Sequence, residues 1–180
     1  MDDRDLIMEW IGDLVGDTRR EIEALPSEAL AWRPDAEANS IGVTVWHYCR
    51  WLDLLAVQAI QNRPQSEEQW FTRGWAARTG YDPSGIGLNG LGAITGYTQE
   101  EVAAIPAMSA EDLLTYLTQA CTALVEQLRA LPAAGLQQPA PGLGGERTVY
   151  SWLRGILKGA LRHLGEVAAI KSMWERQAAR

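Results

Sequence analysis

The sequence predicts an all-α protein, a four-helix bundle with a long insertion between the second and third helices. Four segments of about 20 residues or more repeat apolar residues every three or four positions, which is the period of amphipathic helices. No segment shows the convincing apolar and polar alternation of a half-buried strand. With 180 residues, 47% of them hydrophobic, the chain can form one domain with a substantial core, and we expect a single domain over residues 1–180.

Charge and hydropathy limit the possible partners. Sixteen basic and 23 acidic residues give a formal net charge of -7, which disfavours binding to the phosphate backbone of a nucleic acid. Charged or polar residues interrupt every apolar run before the roughly 20 residues that a membrane span needs. The first ten residues, MDDRDLIMEW, lack the basic and apolar regions of a secretory signal. We therefore expect a cytoplasmic protein that binds neither nucleic acid nor membrane.

The first two helices follow from periodicity and from their end signals. The first is predicted over about Asp3–Leu25, and Pro26 stops it. Asn39-Ser40 is a plausible N-cap pair for the second, predicted over about Ile41–Gln61. The second helix carries apolar stripes on two sides, so it should be covered on both faces. The second cover is either the insertion or another subunit, and on this basis we expect a homodimer.

The insertion and the last two helices complete the pattern. Between residues 62 and 106 the periodicity breaks into short pieces, one of them opened by a capping box of Thr98 and Glu101. A connection this long is often functional or covers a pocket. The third helix is predicted over about Ser109–Leu131 and the fourth over about Thr148–Trp174, both with regular apolar seams.

Two further motifs point to ordinary structure. GIGLNG at residues 85–90 formally matches a dinucleotide-binding motif, but no strand precedes it and no helix opens at its end. We interpret it as loop. Cys49 and Cys121 fall at core positions of predicted helices, where a thiol behaves as a small hydrophobe. Neither has the neighbours of an activated nucleophile.

The chain has two histidines, and both lie on predicted helices of the bundle. His163 occupies a core position of the fourth helix, and His47 lies on an apolar stripe of the second. Two imidazoles that converge in a bundle core can bind a first-row metal, but two ligands are too few for tight binding. Gly159 offers no side chain, so Glu166, Asp53 or an insertion residue would have to supply a third donor. The alternative interpretation is a pair of hydrogen-bonded core histidines.

Tryptophan is unusually frequent, with eight residues against one phenylalanine. Several of them lie near the histidines in sequence and could line a cavity, although core packing is the commoner role. Arg50, one turn after His47, is a candidate anchor for an anionic ligand, although arginines are more often exposed. We expect a substrate pocket that includes Arg50, Trp51 and Trp75.

The chain resembles the DinB-like superfamily, which includes YfiT-type proteins. The resemblance extends from about Asn39 to Met173 and rests on four motifs in order: NSIGVTVWHYCRWLDLL, EEQWFTRGWAARTG, GAITGYTQEEVAAIP and LRHLGEV. It implies an up-down-down-up four-helix bundle, in agreement with the periodicity.

The resemblance also implies a metal site. In that superfamily zinc or nickel is held by one histidine of the second helix and an H-x-x-x-H pair on the fourth. His47 matches the first ligand and His163 the last, whereas the remaining position is Gly159. The expected function is a divalent-metal-dependent hydrolase or thiol transferase with a degenerate site, acting on a small molecule or thiol. The alternative is a non-catalytic small-molecule-binding or stress-associated protein.

Overall fold

The computed structural model describes residues 3–132, 134–143, 145 and 147–180. Helices dominate these residues, and they contain no strand beyond an isolated bridge between Pro139 and Thr148. The all-α prediction is confirmed. Within the described ranges, no helix has both the length and the hydropathy of a membrane span. The α-helices are α1 (Asp3–Ile22), α2 (Ser27–Ala31), α3 (Ile41–Leu54), α4 (Gln69–Thr72), α5 (Trp75–Thr79), α6 (Gln99–Ala103), α7 (Ala110–Ala130) and α8 (Val149–Ala178).

Helices α1, α3, α7 and α8 form the bundle, and both α1 and α3 pack against α7 and α8. Arg4, at the start of α1, donates to the carbonyl of Leu131, just after α7, so these two helices are antiparallel. Lys171 near the end of α8 pairs with Glu21 at the end of α1, so α1 and α8 are parallel.

Helix α3 runs against α8. His47 lies beside His163, and just beyond the end of α3 the carbonyl of Ala59 accepts a hydrogen bond from the backbone of Gly142, shortly before α8 begins. Helices α3 and α8 are therefore antiparallel. With α1 parallel to α8 and antiparallel to α7, the topology is up-down-down-up, as predicted.

The predicted helix starts match the structure more closely than the predicted ends. Ser40 caps α3 by accepting the backbone N–H of Val43 at 3.2 Å, and the capping box of Thr98 and Glu101 is present. Helix α1 ends at Ile22, before the short α2. Helix α3 gives way at its C-terminal end to a π-helical turn, Leu55–Ala59.

The insertion covers the second apolar stripe of α3. Trp46 on α3 contacts Trp70 and Tyr81 edge to face, with ring centroids 5.6 and 5.8 Å apart, and its side chain is fully buried. Gly74, at φ +78°, separates the short helices α4 and α5 of the insertion. Because one chain supplies both covers of α3, the doubly apolar helix needs no second subunit, and the homodimer stays a prediction.

Candidate functional site

A cavity of about 300 Å³ opens between α3 and α8, beside the insertion. Its walls combine aromatic and aliphatic side chains with a few polar groups, the composition of many small-molecule sites. Its lining residues are His47, Tyr48, Trp51, Thr95, Arg147, Ser151, Trp152, Gly155, Ile156, Gly159, Ala160, Arg162 and His163.

Both histidines face this cavity and contact one another. The ring centroids of His47 and His163 are 4.8 Å apart, and the rings are nearly perpendicular. The antiparallel packing of α3 on α8 brings them together. His163 is partly exposed at this surface, with 25% of its side chain accessible.

Each imidazole uses its Nδ1 in a hydrogen bond. Nδ1 of His47 lies 2.7 Å from the carbonyl oxygen of Ala93, and Nδ1 of His163 lies 2.9 Å from Oε2 of Glu166. A carbonyl and an ionised carboxylate only accept, so each Nδ1 donates its proton. In the neutral rings Nε2 is then the atom with a free lone pair.

Burial and hydrogen bonding shift the pKa values of His47 and Glu166. Desolvation, followed by the nearby charge of His163, lowers the pKa of His47 from 6.5 to about 4, so its ring is neutral at pH 7. The hydrogen bond from His163 is the main cause of a lowered pKa at Glu166, which therefore stays ionised. A carboxylate that orients an imidazole through Nδ1 is a common partner of metal-binding histidines.

Around the two rings, the part of the chain that the structure describes places no third metal ligand. Glu166, the expected third ligand, has one carboxylate oxygen engaged with Nδ1 of His163, which makes it an orienting partner of that ring. Gly159 lines the cavity with no side chain, and a Cβ built there would meet nothing within 4 Å. Among the described residues, no group of three or more His, Cys, Asp or Glu side chains is placed to hold a metal ion.

Arg50 lies beneath the insertion instead of lining the cavity. Its side chain is fully buried and its guanidinium contacts Glu68 at 2.5 Å, Tyr116 at 3.1 Å and Asp53 at 3.5 Å. This corrects the expectation that Arg50 anchors an anionic ligand, because its charge is already paired inside the protein. Asp53, a suggested metal donor, belongs to the same network and accepts the backbone N–H groups at Gln69 and Trp70.

The two tryptophans predicted for the pocket lie in different parts of the structure. Trp51 lines the cavity. Trp75 is buried against Trp70 and Tyr116 and donates its indole N–H to Gln119 at 2.7 Å, so it belongs to the core under the insertion. This corrects the assignment of Trp75 to the pocket, because stacking and a satisfied indole N–H hold it elsewhere.

Sequence reasoning missed the segment that orients His47. Nε of Arg50 donates to the carbonyl of Gly92 at 3.0 Å, next to the carbonyl of Ala93 that accepts from His47. Gly92 has φ +64°, and a Cβ there would lie 2.5 Å from the carbonyl oxygen of Pro83. Only glycine fits such a position, so the glycine-rich composition was the available signal.

The loop before α8 and the first turns of α8 also contribute residues to the cavity. Arg147 precedes α8 in a non-periodic loop, which gave no indication of its place at the cavity. Gly155 and Gly159 are four residues apart on α8, so they lie on the same face of the helix. Both line the cavity, where larger side chains would project into it. That spacing was a readable signal for an opening on this helix.

Comparison with known proteins places the chain in a family. The model of the DinB superfamily matches residues 15–167. The chain belongs to the DinB superfamily. A crystal structure of a conserved protein from Enterococcus faecalis superposes on this DinB-superfamily chain with a TM-score of 0.77, covering 95% of this chain and 96% of the other. At 17% identity this likeness establishes the fold alone. No curated protein matches the chain.

Proposed function

We propose that the cavity binds a small molecule together with a divalent metal ion, zinc or nickel, that His47 and His163 hold through Nε2. The observation that carries this proposal is the pair of adjacent imidazoles, each with Nδ1 engaged. Imidazoles from two helices that meet in a bundle core could hold one divalent ion between them. The ring centroids are 4.8 Å apart, so both rings are near enough to approach the same ion.

The chain's own groups prepare the two rings for such a role. Ala93 and Glu166 fix both imidazoles in the tautomer that leaves Nε2 without a proton. The low pKa of His47 keeps its lone pair available at neutral pH. Two protein ligands give weak binding, so the remaining positions would be filled by solvent or by a donor atom of the small molecule.

The activity that fits this arrangement is a metal-dependent hydrolase or thiol transferase. A divalent ion supplies Lewis acidity and lowers the pKa of a bound water or thiol. Trp51, Trp152 and Ile156 provide apolar walls that hold an organic substrate and limit its hydration.

A second candidate is a non-catalytic small-molecule-binding or stress-associated protein. The specific observation in its favour is Gly159, which stands where the family pattern has a histidine, together with the lack of a third donor among the described residues. Under this proposal the cavity keeps its walls and its ligand but has lost metal-dependent chemistry.

Metal binding by tag-free protein separates the two candidates. Because the chain has only two histidines, calorimetric titration with ZnCl₂ or NiCl₂ reports on His47 and His163 without competing imidazoles. The first candidate requires one equivalent per chain, lost in both His47→Ala and His163→Ala. Binding below about 0.5 equivalents, or binding that survives both substitutions, supports the second candidate.

A further inference from the structure

The charged residues that line the cavity include two arginines. Arg147 and Arg162 are lining residues, and among the described residues that line the cavity there is no aspartate or glutamate, although the whole chain has a net charge of -7. Glu166, behind His163, is not a lining residue, and its carboxylate accepts the Nδ1 proton of that ring. A basic concave surface on an acidic protein concentrates anions at that place.

Arg147 is held in a defined position. Its guanidinium lies over the ring of Trp152, 5.1 Å from the centroid. Its backbone carbonyl accepts from the N–H of Ala140 at 2.8 Å, and one residue further the chain forms the bridge between Pro139 and Thr148. Stacking occupies a face of the guanidinium and leaves its edge N–H groups for a planar acceptor.

Within the described ranges, the cations at the cavity have no carboxylate partner. Among the residues that the structure describes, neither Arg147 nor Arg162 forms an ion pair with a carboxylate. By contrast, the buried Arg50 contacts two carboxylates, those of Glu68 and Asp53. The guanidinium groups at the cavity are thus available to an external anion.

We infer that the small molecule of this site carries a carboxylate, which Arg147 binds in a bidentate pair with Arg162 contributing additional positive charge. The inference rests on the proposed function only in taking the cavity as the ligand site. A carboxylate matches the planar fork of a guanidinium. Trp51, Trp152 and Ile156 form apolar walls that can pack against an organic group attached to that carboxylate. An inorganic anion has no such group and would leave these walls without a contact.

A matched pair of probes tests the inference. Isothermal titration with 3-phenylpropionate and with 3-phenylpropionamide, both in EDTA, compares a carboxylate with its neutral isostere. We expect the acid to bind at least about tenfold more tightly, because a charge-assisted pair is lost in the amide. Arg147→Gln should remove this difference, and Arg147→Lys should retain part of it, since lysine keeps the charge but not the fork.

Arg154→Gln is the control, because Arg154 is an exposed residue of α8 that does not line the cavity. It should leave the preference for the acid unchanged, with circular dichroism showing that all variants are folded. Equal binding of acid and amide, binding of neither, an equal loss in the Arg154→Gln variant, or inorganic phosphate binding as tightly as the acid would overturn the inference. Since EDTA removes metal, these outcomes are independent of whether the two histidines bind zinc or nickel.

Discussion

Arg50 and His47, three residues apart on α3, hydrogen-bond to consecutive carbonyl groups of the insertion. Nε of Arg50 donates to Gly92 at 3.0 Å, and Nδ1 of His47 donates to Ala93 at 2.7 Å. The buried ion pairs of Arg50 and the orientation of a cavity histidine therefore depend on one short segment. Its position is fixed in turn by Gly92, whose φ of +64° and contact with Pro83 exclude a side chain.

Arg50→Met should strongly destabilise the protein. The substitution leaves the carboxylates of Asp53 and Glu68 buried without their cation, and breaking a buried pair in this way costs about 3–5 kcal/mol. Urea unfolding followed by circular dichroism measures the change. Arg73→Met is the control: Arg73 is exposed and its side chain donates to Gln69, four residues earlier, so its loss should cost less than about 0.5 kcal/mol. Equal effects of the two substitutions would contradict the structural role of the network.

His47 should make the protein less stable in acid. Its pKa is about 4 in the folded chain and 6.5 in the unfolded chain, so the unfolded state binds more protons between these values. The contribution of neutral His47 to the free energy of unfolding is therefore complete above pH 6.5 and is lost as the pH falls from 6.5 through about 4. The total loss is about 3 kcal/mol. Burial of Asp53 and Glu68 raises their pKa values and acts in the opposite direction, so the comparison must be made between variants.

Measuring the free energy of unfolding of the wild type and of His47→Gln at pH 7 and at pH 4 isolates the contribution of His47. Glutamine can still donate to Ala93 but does not titrate. The wild type should lose more stability between the two pH values than the variant does. An identical loss in both proteins would show that the His47 ring is not the source of acid sensitivity.

Gly159→His should strengthen metal binding. The new imidazole lies one turn before His163 on α8, at a position where a Cβ meets nothing within 4 Å. A third protein ligand should raise zinc affinity on the order of 100-fold or more. Gly165→His is the matched control, since Gly165 is equally open but lies outside the cavity. Zinc titrations of both variants check this, and a similar affinity in the two would mean that position 159 does not face the histidine pair.

Gly142→Ala should weaken the attachment of the loop before α8. A Cβ at Gly142 would lie 1.8 Å from the carbonyl oxygen of Gln58, within the π-helical turn after α3. Because that atom is backbone, the chain must move, at a cost of about 2–3 kcal/mol. Gly12→Ala, on the open face of α1, should instead stabilise by about 0.5–1 kcal/mol. Thermal unfolding of the two variants should therefore shift in opposite directions.

Periodicity and caps were sufficient to predict the bundle, whereas spacing alone did not show that His47 faces His163. Ser40 and Thr98 marked helix starts because their hydroxyls satisfy backbone N–H groups locally. His47 and His163 met because both lay on helical faces directed at neighbouring helices. The helices and their caps depend on short-range rules that a single sequence contains.

The remaining site features depend on contacts between distant residues. Of the two carboxylates paired with Arg50, Asp53 lies three residues further on the same helix, but Glu68 reaches Arg50 only through the folded insertion, which helical spacing does not predict. Glu166 was recognisable as a neighbour of His163 from its spacing, but spacing does not tell which ring nitrogen it contacts. Arg147 lies in a loop without period, so its place over Trp152 could not be read from the sequence.

We propose that the two imidazoles offer their Nε2 atoms to one ion. Long-range proton–nitrogen NMR on uniformly labelled protein observes only four imidazole nitrogens, because the chain has two histidines. Before metal is added, we expect a protonated Nδ1 in both rings; on addition of one equivalent of ZnCl₂, the Nε2 signals of His47 and His163 should shift together. Protonated Nε2 atoms before zinc, or zinc shifts in one ring or neither, would contradict it.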